Sequence, residues 1–215
     1  MKPAVSSNPS RGPTLKEVAA VVVILMLLAG LLLPPMALAK YKVRRIGCVN
    51  NVKQVGLAAR IFANDHGEKF PMEIAVKKGG TKEFAGFGVV FPHLLVMSNE
   101  LSVPKILICP ADLRSAASNF GELRDGNISY FIGLDASQTN PHSVLAGDRN
   151  ITNGSPGGNR ILFLTTNQPV GWTKEIHQHS GNLLLGDGSV QPVDSAGLQK
   201  ALRDSGVATN RLAIP

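Results

Sequence analysis

Between Glu17 and Lys40 the chain runs for 22 residues, VAAVVVILMLLAGLLLPPMALA, without a charge. As a helix this run rises ~33 Å, close to the hydrocarbon thickness of a bilayer. Residues 13–39 therefore predict a membrane-crossing helix, preceded by a short polar leader, 1–12, that carries Lys2 and Arg11. A second reading stays open. The same stretch has the basic start, apolar centre and Ala37-Leu38-Ala39 end of a secretory signal, whose cleavage would free a chain beginning at Lys40.

The net charge of +7 is concentrated just beyond this run, in Lys40, Lys42, Arg44, Arg45, Lys53 and Arg60, with no acidic residue before Asp65. Beside an apolar helix such a cluster predicts attraction to the anionic head groups of a lipid bilayer, about 1 kcal/mol per residue, in preference to nucleic acid. Taken alone, the positive-inside rule places this side in the cytoplasm. About 175 residues follow, enough for one domain. With 22 Gly, 14 Pro and 5% aromatic residues, it should be rich in turns and short elements.

Within 40–65 the apolar residues Ile46, Val49, Val52, Val55, Ala59 and Phe62 recur every three or four positions, which predicts an amphipathic helix stopped at Gly67. Segment 72–91 reads as loop or hairpin, 91–97 as a helical turn or two, 106–109 as a strand ended by Pro110, and 116–127 as loop. Strands are expected at 128–132, 143–146 and 161–164, with a flexible loop at 153–159. Residues 182–193 predict a β-hairpin, because Asp187-Gly188 supplies the positive φ of a tight turn. Ser195 should cap a helix of about ten residues with Leu198, Ala201 and Leu202 inward, and the tail 207–215 should fray.

Gly12 followed five residues later by Glu17, with Pro34 seventeen beyond, resembles the N-terminus of type IV pilins and type II secretion pseudopilins. Cys48 to Ala58 resembles C-x-N-N-x-K-Q-x-G-L-A of bacterial proteins with a prepilin-type N-terminal cleavage/methylation domain. ICPAD at 108–112, ISYFIG at 128–133, AGDRN at 146–150 and HSGNLLLGDGSVQ at 179–191 match the same set in order. Pro13 and Lys16 depart from the pattern, Pro13 standing where the family usually has phenylalanine.

The resemblance implies processing between Gly12 and Pro13; the secretory-signal reading places the alternative site at Ala37 and Ala39. The resemblance also implies subunit contact through Glu17, a bend at Pro34, and an α+β pilin-like fold. In that fold a long N-terminal helix, transmembrane over 13–39 and amphipathic over 40–67, packs on a small antiparallel sheet of a head, 68–215, that ends in a C-terminal helix. The implied function is a membrane-anchored structural subunit of a type II secretion or type IV pilus-like assembly, whose partners are other pilin-like subunits and secretion machinery. The implied location is the bacterial inner membrane, single-pass, with the head extracytoplasmic. The alternative is a secreted or surface-anchored monomeric ligand-binding module, which exposed aromatics around Trp172 would mark.

Chemistry is sparsely signalled. Cys48 and Cys109 lack C-x-x-C spacing and a nearby His pair, so zinc or dithiol chemistry is poorly supported; a disulfide between them and two separate buried thiols both remain open. Asp112, Asp148 and Asp187 lie beside expected strand ends. Oxygen-rich loops of this kind can hold calcium, with Asp148 and Asp187 as the candidates, but without D-x-D-x-D spacing no cofactor is expected. His177 and His179 share a face if their segment is extended. No hydrolase, metalloprotease or P-loop motif is present, so neither an enzyme nor a small-molecule substrate is expected.

Overall fold

A computed structural model describes residues 12–154 and 160–215, with side chains for all of these except 31–41. The chain divides into two units, Met1–Lys42 and Val43–Pro215. Helix α1 spans Leu15–Asp65 and so contributes to both. In the first unit Thr14 and Glu17 close the helix start, the Thr14 N–H donating to the Glu17 carboxylate at 2.7 Å, the reach of a capping box. Large apolar side chains from Leu15 to Leu28 are exposed, Leu15 at 87% and Met26 and Leu27 at 69%.

The expected membrane-crossing helix, and with it single-pass anchoring in a bacterial inner membrane, is corrected. Among the described residues no helix is long and apolar enough to cross a membrane. The leader residues 1–11, and the side chains of Pro34, Ala37 and Ala39, lie outside the described residues.

The fold class is corrected in the same way. The second unit is α+β, with a six-stranded antiparallel sheet in the order β4-β8-β1-β2-β6-β7. Its strands are β1 Tyr130–Gly133, β2 Val144–Asp148, β4 Ile161–Thr165, β6 Ser180–Leu185, β7 Val190–Asp194 and β8 Thr209–Ala213; β3 Ile151–Thr152 and β5 Gly171–Trp172 pair separately. No long N-terminal helix serves as the sheet's covering layer. Among the described residues of α1 the buried ones are Cys48, Val52, Val55, Gly56, Ala58, Ala59, Phe62 and Ala63, while Ile46 is exposed. The rest of that layer comes from α2 Phe91–Leu95, α3 Ser98–Leu101 and a series of 3₁₀ turns, through Phe70, Leu94, Met97 and Leu107.

Both faces of the sheet are covered, which explains its strand sequences. Leu184, Ile132 and Ala146 join the cluster containing Val52 and Phe62. Leu183, Leu185, Phe131 and Val144 join a second cluster with Trp172 and with Leu198, Ala201 and Leu202 of α4, Ser195–Asp204. Three consecutive leucines suit a strand buried on both sides. The hairpin forms as expected: the Gly188 N–H donates to the Leu185 carbonyl at 2.9 Å and Gly188 has φ +85°.

Three local expectations fail. Residues 106–109 form no strand; a 3₁₀ turn, Pro104–Leu107, occupies that place. Asp194, not Ser195, caps α4, its Oδ1 accepting from the Gly197 N–H at 2.7 Å. The tail does not fray: β8 lies inside the sheet between β4 and β1, held by Asp135, whose carboxylate accepts from Arg211 N at 2.8 Å and Nε at 2.9 Å.

Within α2, His93 is 1% exposed, with Nδ1 2.6 Å from Thr81 Oγ1. Burial depresses its pKa from 6.5 to about 4. A histidine that resists protonation only when folded gives full stability above its unfolded pKa and loses it as pH falls towards the folded one. Urea unfolding should thus show the head weakening between pH 6.5 and 4, by about 3 kcal/mol from this group. In H93Q that share of the slope should vanish; an unchanged slope would assign the loss elsewhere.

Candidate metal centre

Four buried side chains from four separate parts of the second unit converge below the end of β2. Cys48 comes from α1, and Cys109 follows the Pro104–Leu107 turn. Asp148 is the last residue of β2, and His177 sits in the connection between β5 and β6. Their sulfur, nitrogen and oxygen atoms all lie within 4.8 Å of one another. Cys48 and Cys109 are joined as a disulfide, with Cα atoms 4.8 Å apart. His177 Nε2 is 3.4 Å from Cys109 Sγ and 3.5 Å from Asp148 Oδ2.

Asn182 of β6 fixes this arrangement. Its backbone N–H and side-chain amide both donate to Asp148 Oδ2, at 2.7 and 3.0 Å, and the same amide nitrogen lies 3.4 Å from His177 Nε2. Ser180 Oγ donates to the His177 carbonyl at 2.6 Å, holding the connection in place. Three polar atoms stay unsatisfied: Asp148 Oδ1, His177 Nδ1 and Asn182 Oδ1 are buried with no hydrogen-bond partner among the described residues. Such atoms carry a desolvation cost that a partner would remove.

Burial raises the Asp148 pKa to about 7, against the pull of the Asn182 hydrogen bonds and the Arg45 charge. Burial, then the Arg45 charge, lower that of His177 to about 4. Near neutrality His177 is an uncharged imidazole, so its contact with Asp148 is not an ion pair.

The other residues weighed from the sequence are dispersed. Asp187 lies in the β6–β7 turn, where its backbone N–H donates to the Pro141 carbonyl at 3.1 Å and its Oδ1 accepts from the Ser189 N–H at 2.8 Å. Asp148 is at the other end of β2, so the two calcium candidates do not share a site. Asp112 pairs with Arg149. His177 and His179 do not share a face. Gln178 and His179 have φ of +52° and +63°, so the segment is not extended; His177 is buried and His179 exposed. Trp172 is buried and marks no exposed aromatic cluster. Gly12, Pro13 and Glu17 are exposed in the first unit.

Sequence reasoning missed the convergence itself and the part played by Asn182. The cysteines are 61 residues apart and Cys109 is 68 from His177, so no local spacing exists to find. No family model matches the chain, and neither does any curated protein or solved structure.

Proposed function

We propose that the chain is a pilin-like structural subunit that assembles through the apolar part of α1, as a component of a type II secretion or type IV pilus-like assembly. The observation that carries this reading is the exposure of Val21, Val22, Val23, Ile24, Leu25, Met26, Leu27 and Leu28 in the first unit. Eight consecutive helical residues span more than two turns and point in every direction around the axis, so no face of this stretch is turned inward. An apolar surface of this extent marks an interaction site. The occupant of matching chemistry is the same stretch of neighbouring subunits, packed as a bundle of helices.

The motifs that resemble prepilin-type proteins support the same reading. Glu17 adds a detail, because its carboxylate is already engaged by the Thr14 N–H of its own chain. Assembly on this reading is driven by the apolar side chains, with Glu17 ordering the helix start. The full-length double variant I24D/L28D should sediment as a monomer where the parent chain sediments as a multi-subunit species, with the head's unfolding midpoint unchanged. A parent that is itself monomeric, or a variant of the parent's size, overturns the reading.

A further inference from the structure

We propose that, when its two cysteines are reduced, the chain holds one zinc-class divalent cation between Cys48 Sγ, Cys109 Sγ, His177 Nε2 and an oxygen of Asp148. The donor set is the first argument. Two thiolates, an imidazole and a carboxylate form the sulfur-, nitrogen- and oxygen-mixed tetrahedron that suits zinc and excludes calcium or magnesium, which take oxygen alone. Spacing is the second. Metal–sulfur bonds of ~2.3 Å and metal–nitrogen or –oxygen bonds of ~2.0 Å place tetrahedral ligands roughly 3.3–3.8 Å apart; of the six separations, 3.4 Å from His177 to Cys109 and 3.5 Å from His177 to Asp148 fall in this range, and the widest, at most 4.8 Å, has to close by about 1 Å on binding.

The unsatisfied atoms are the third argument. Asp148 is fully buried, and among the described residues one of its oxygens has no partner and the other accepts from the uncharged Asn182. A disulfide places two sulfurs beside this carboxylate and supplies it with nothing. A cation shared with two thiolates gives it an opposite charge at bonding distance. Asn182 then takes the place that outer-shell partners occupy in metal sites, holding one carboxylate oxygen with two N–H groups so that the ligand is aimed before the ion arrives.

Disulfide and metal are exclusive states of the same sulfurs. Reduction breaks the sulfur–sulfur bond and gives two thiols: a dithiol supplies two electrons and two protons and becomes a disulfide, whereas a phosphine supplies two electrons and becomes its oxide, with water giving the oxygen and the two protons. Binding one divalent ion then forms two metal–sulfur bonds and releases those two protons to solvent. No other oxidation or reduction is involved. The site lies in the head and is independent of how the chain assembles.

The test uses the full chain, reduced with a phosphine under nitrogen and titrated with Co²⁺ as the spectroscopic probe. Expected are one Co²⁺ per chain, the intense visible bands of tetrahedral cobalt with a sulfur-to-cobalt transition in the near ultraviolet, and displacement by one equivalent of Zn²⁺. H177A and C109S should each weaken binding by at least about 100-fold, and N182A by about 10- to 100-fold. D148N keeps the side chain's shape and an oxygen that accepts from Asn182, which makes it the variant least prone to misfolding. It should keep the parent's circular dichroism and lose at least about 10-fold in affinity. A reduced, folded parent that binds no Co²⁺, octahedral cobalt spectra, or D148N and H177A that bind as the parent does would each overturn the proposal.

Discussion

Replacing Asp112 by alanine is expected to destabilise the head by about 3 kcal/mol or more. The Asp112 side chain is 1% exposed and is gripped by Arg149 through both oxygens, Nε to Oδ2 at 2.8 Å and Nη2 to Oδ1 at 2.9 Å. Its Oδ1 also accepts from the Leu113 N–H at 2.7 Å. Burial works to raise this carboxyl's pKa, but the Arg149 hydrogen bonds and charge outweigh it and hold the group below its ordinary value. Removing it strands a largely buried guanidinium whose remaining carboxylate, Glu175, is on the surface. Surface pairs of that kind contribute at most about 1 kcal/mol. D112N, which keeps an acceptor and loses the charge, should fall between parent and D112A in urea unfolding. A loss below about 1 kcal/mol in D112A would show that the pair contributes no more than a surface bridge.

The second large effect is expected from Gly133→Ala, at about 3 kcal/mol. A Cβ built on Gly133 would stand 1.9 Å from the Val144 carbonyl oxygen and 2.9 Å from its carbon. Both are backbone atoms of β2, the antiparallel neighbour of β1, so no rotamer change can relieve the contact and the pair of strands must part. Gly126 is the matched control, since a Cβ there meets nothing within 4 Å and its φ is not positive. Thermal and urea unfolding of G126A should stay within about 0.5 kcal/mol of the parent. If G133A unfolds with G126A, the close approach of β1 to β2 is wrong.

What the sequence disclosed follows from how local each signal is. The Asp187-Gly188 turn and the helix at Ser195–Asp204 are encoded by neighbouring residues, and both were legible. The buried positions Val52, Val55, Ala59 and Phe62 were legible too, because a 3.6-residue period records a covered face. The same period misplaced Ile46, which is exposed: periodicity shows which residues could be covered, not where the cover stops. The strand read at 106–109 failed because a short apolar run does not by itself distinguish extended chain from a tight turn.

The four-residue cluster was invisible for a different reason. Each of its members had an ordinary local explanation, a thiol, a turn aspartate or a polar loop histidine, and only the tertiary path brings them together. The segment 207–215 misled in the same way. Thr209, Asn210 and Arg211 have the composition of a loose end, and what makes them a strand is the pair of open edges that β4 and β1 present to them.

That placement of β8 has a consequence for synthesis. A ribosome that has made the chain through Asp204 has produced every other strand, yet β4 and β1 still lack the strand that lies between them. The partners to be joined, Asp135 and Arg211, are 76 residues apart, and the chain-closure entropy for that span falls due only once β8 has been made. Residues 209–213 therefore fill an inner position of the sheet after its other strands have been made, so the head can begin to fold during elongation but cannot reach its native state before β8 has emerged.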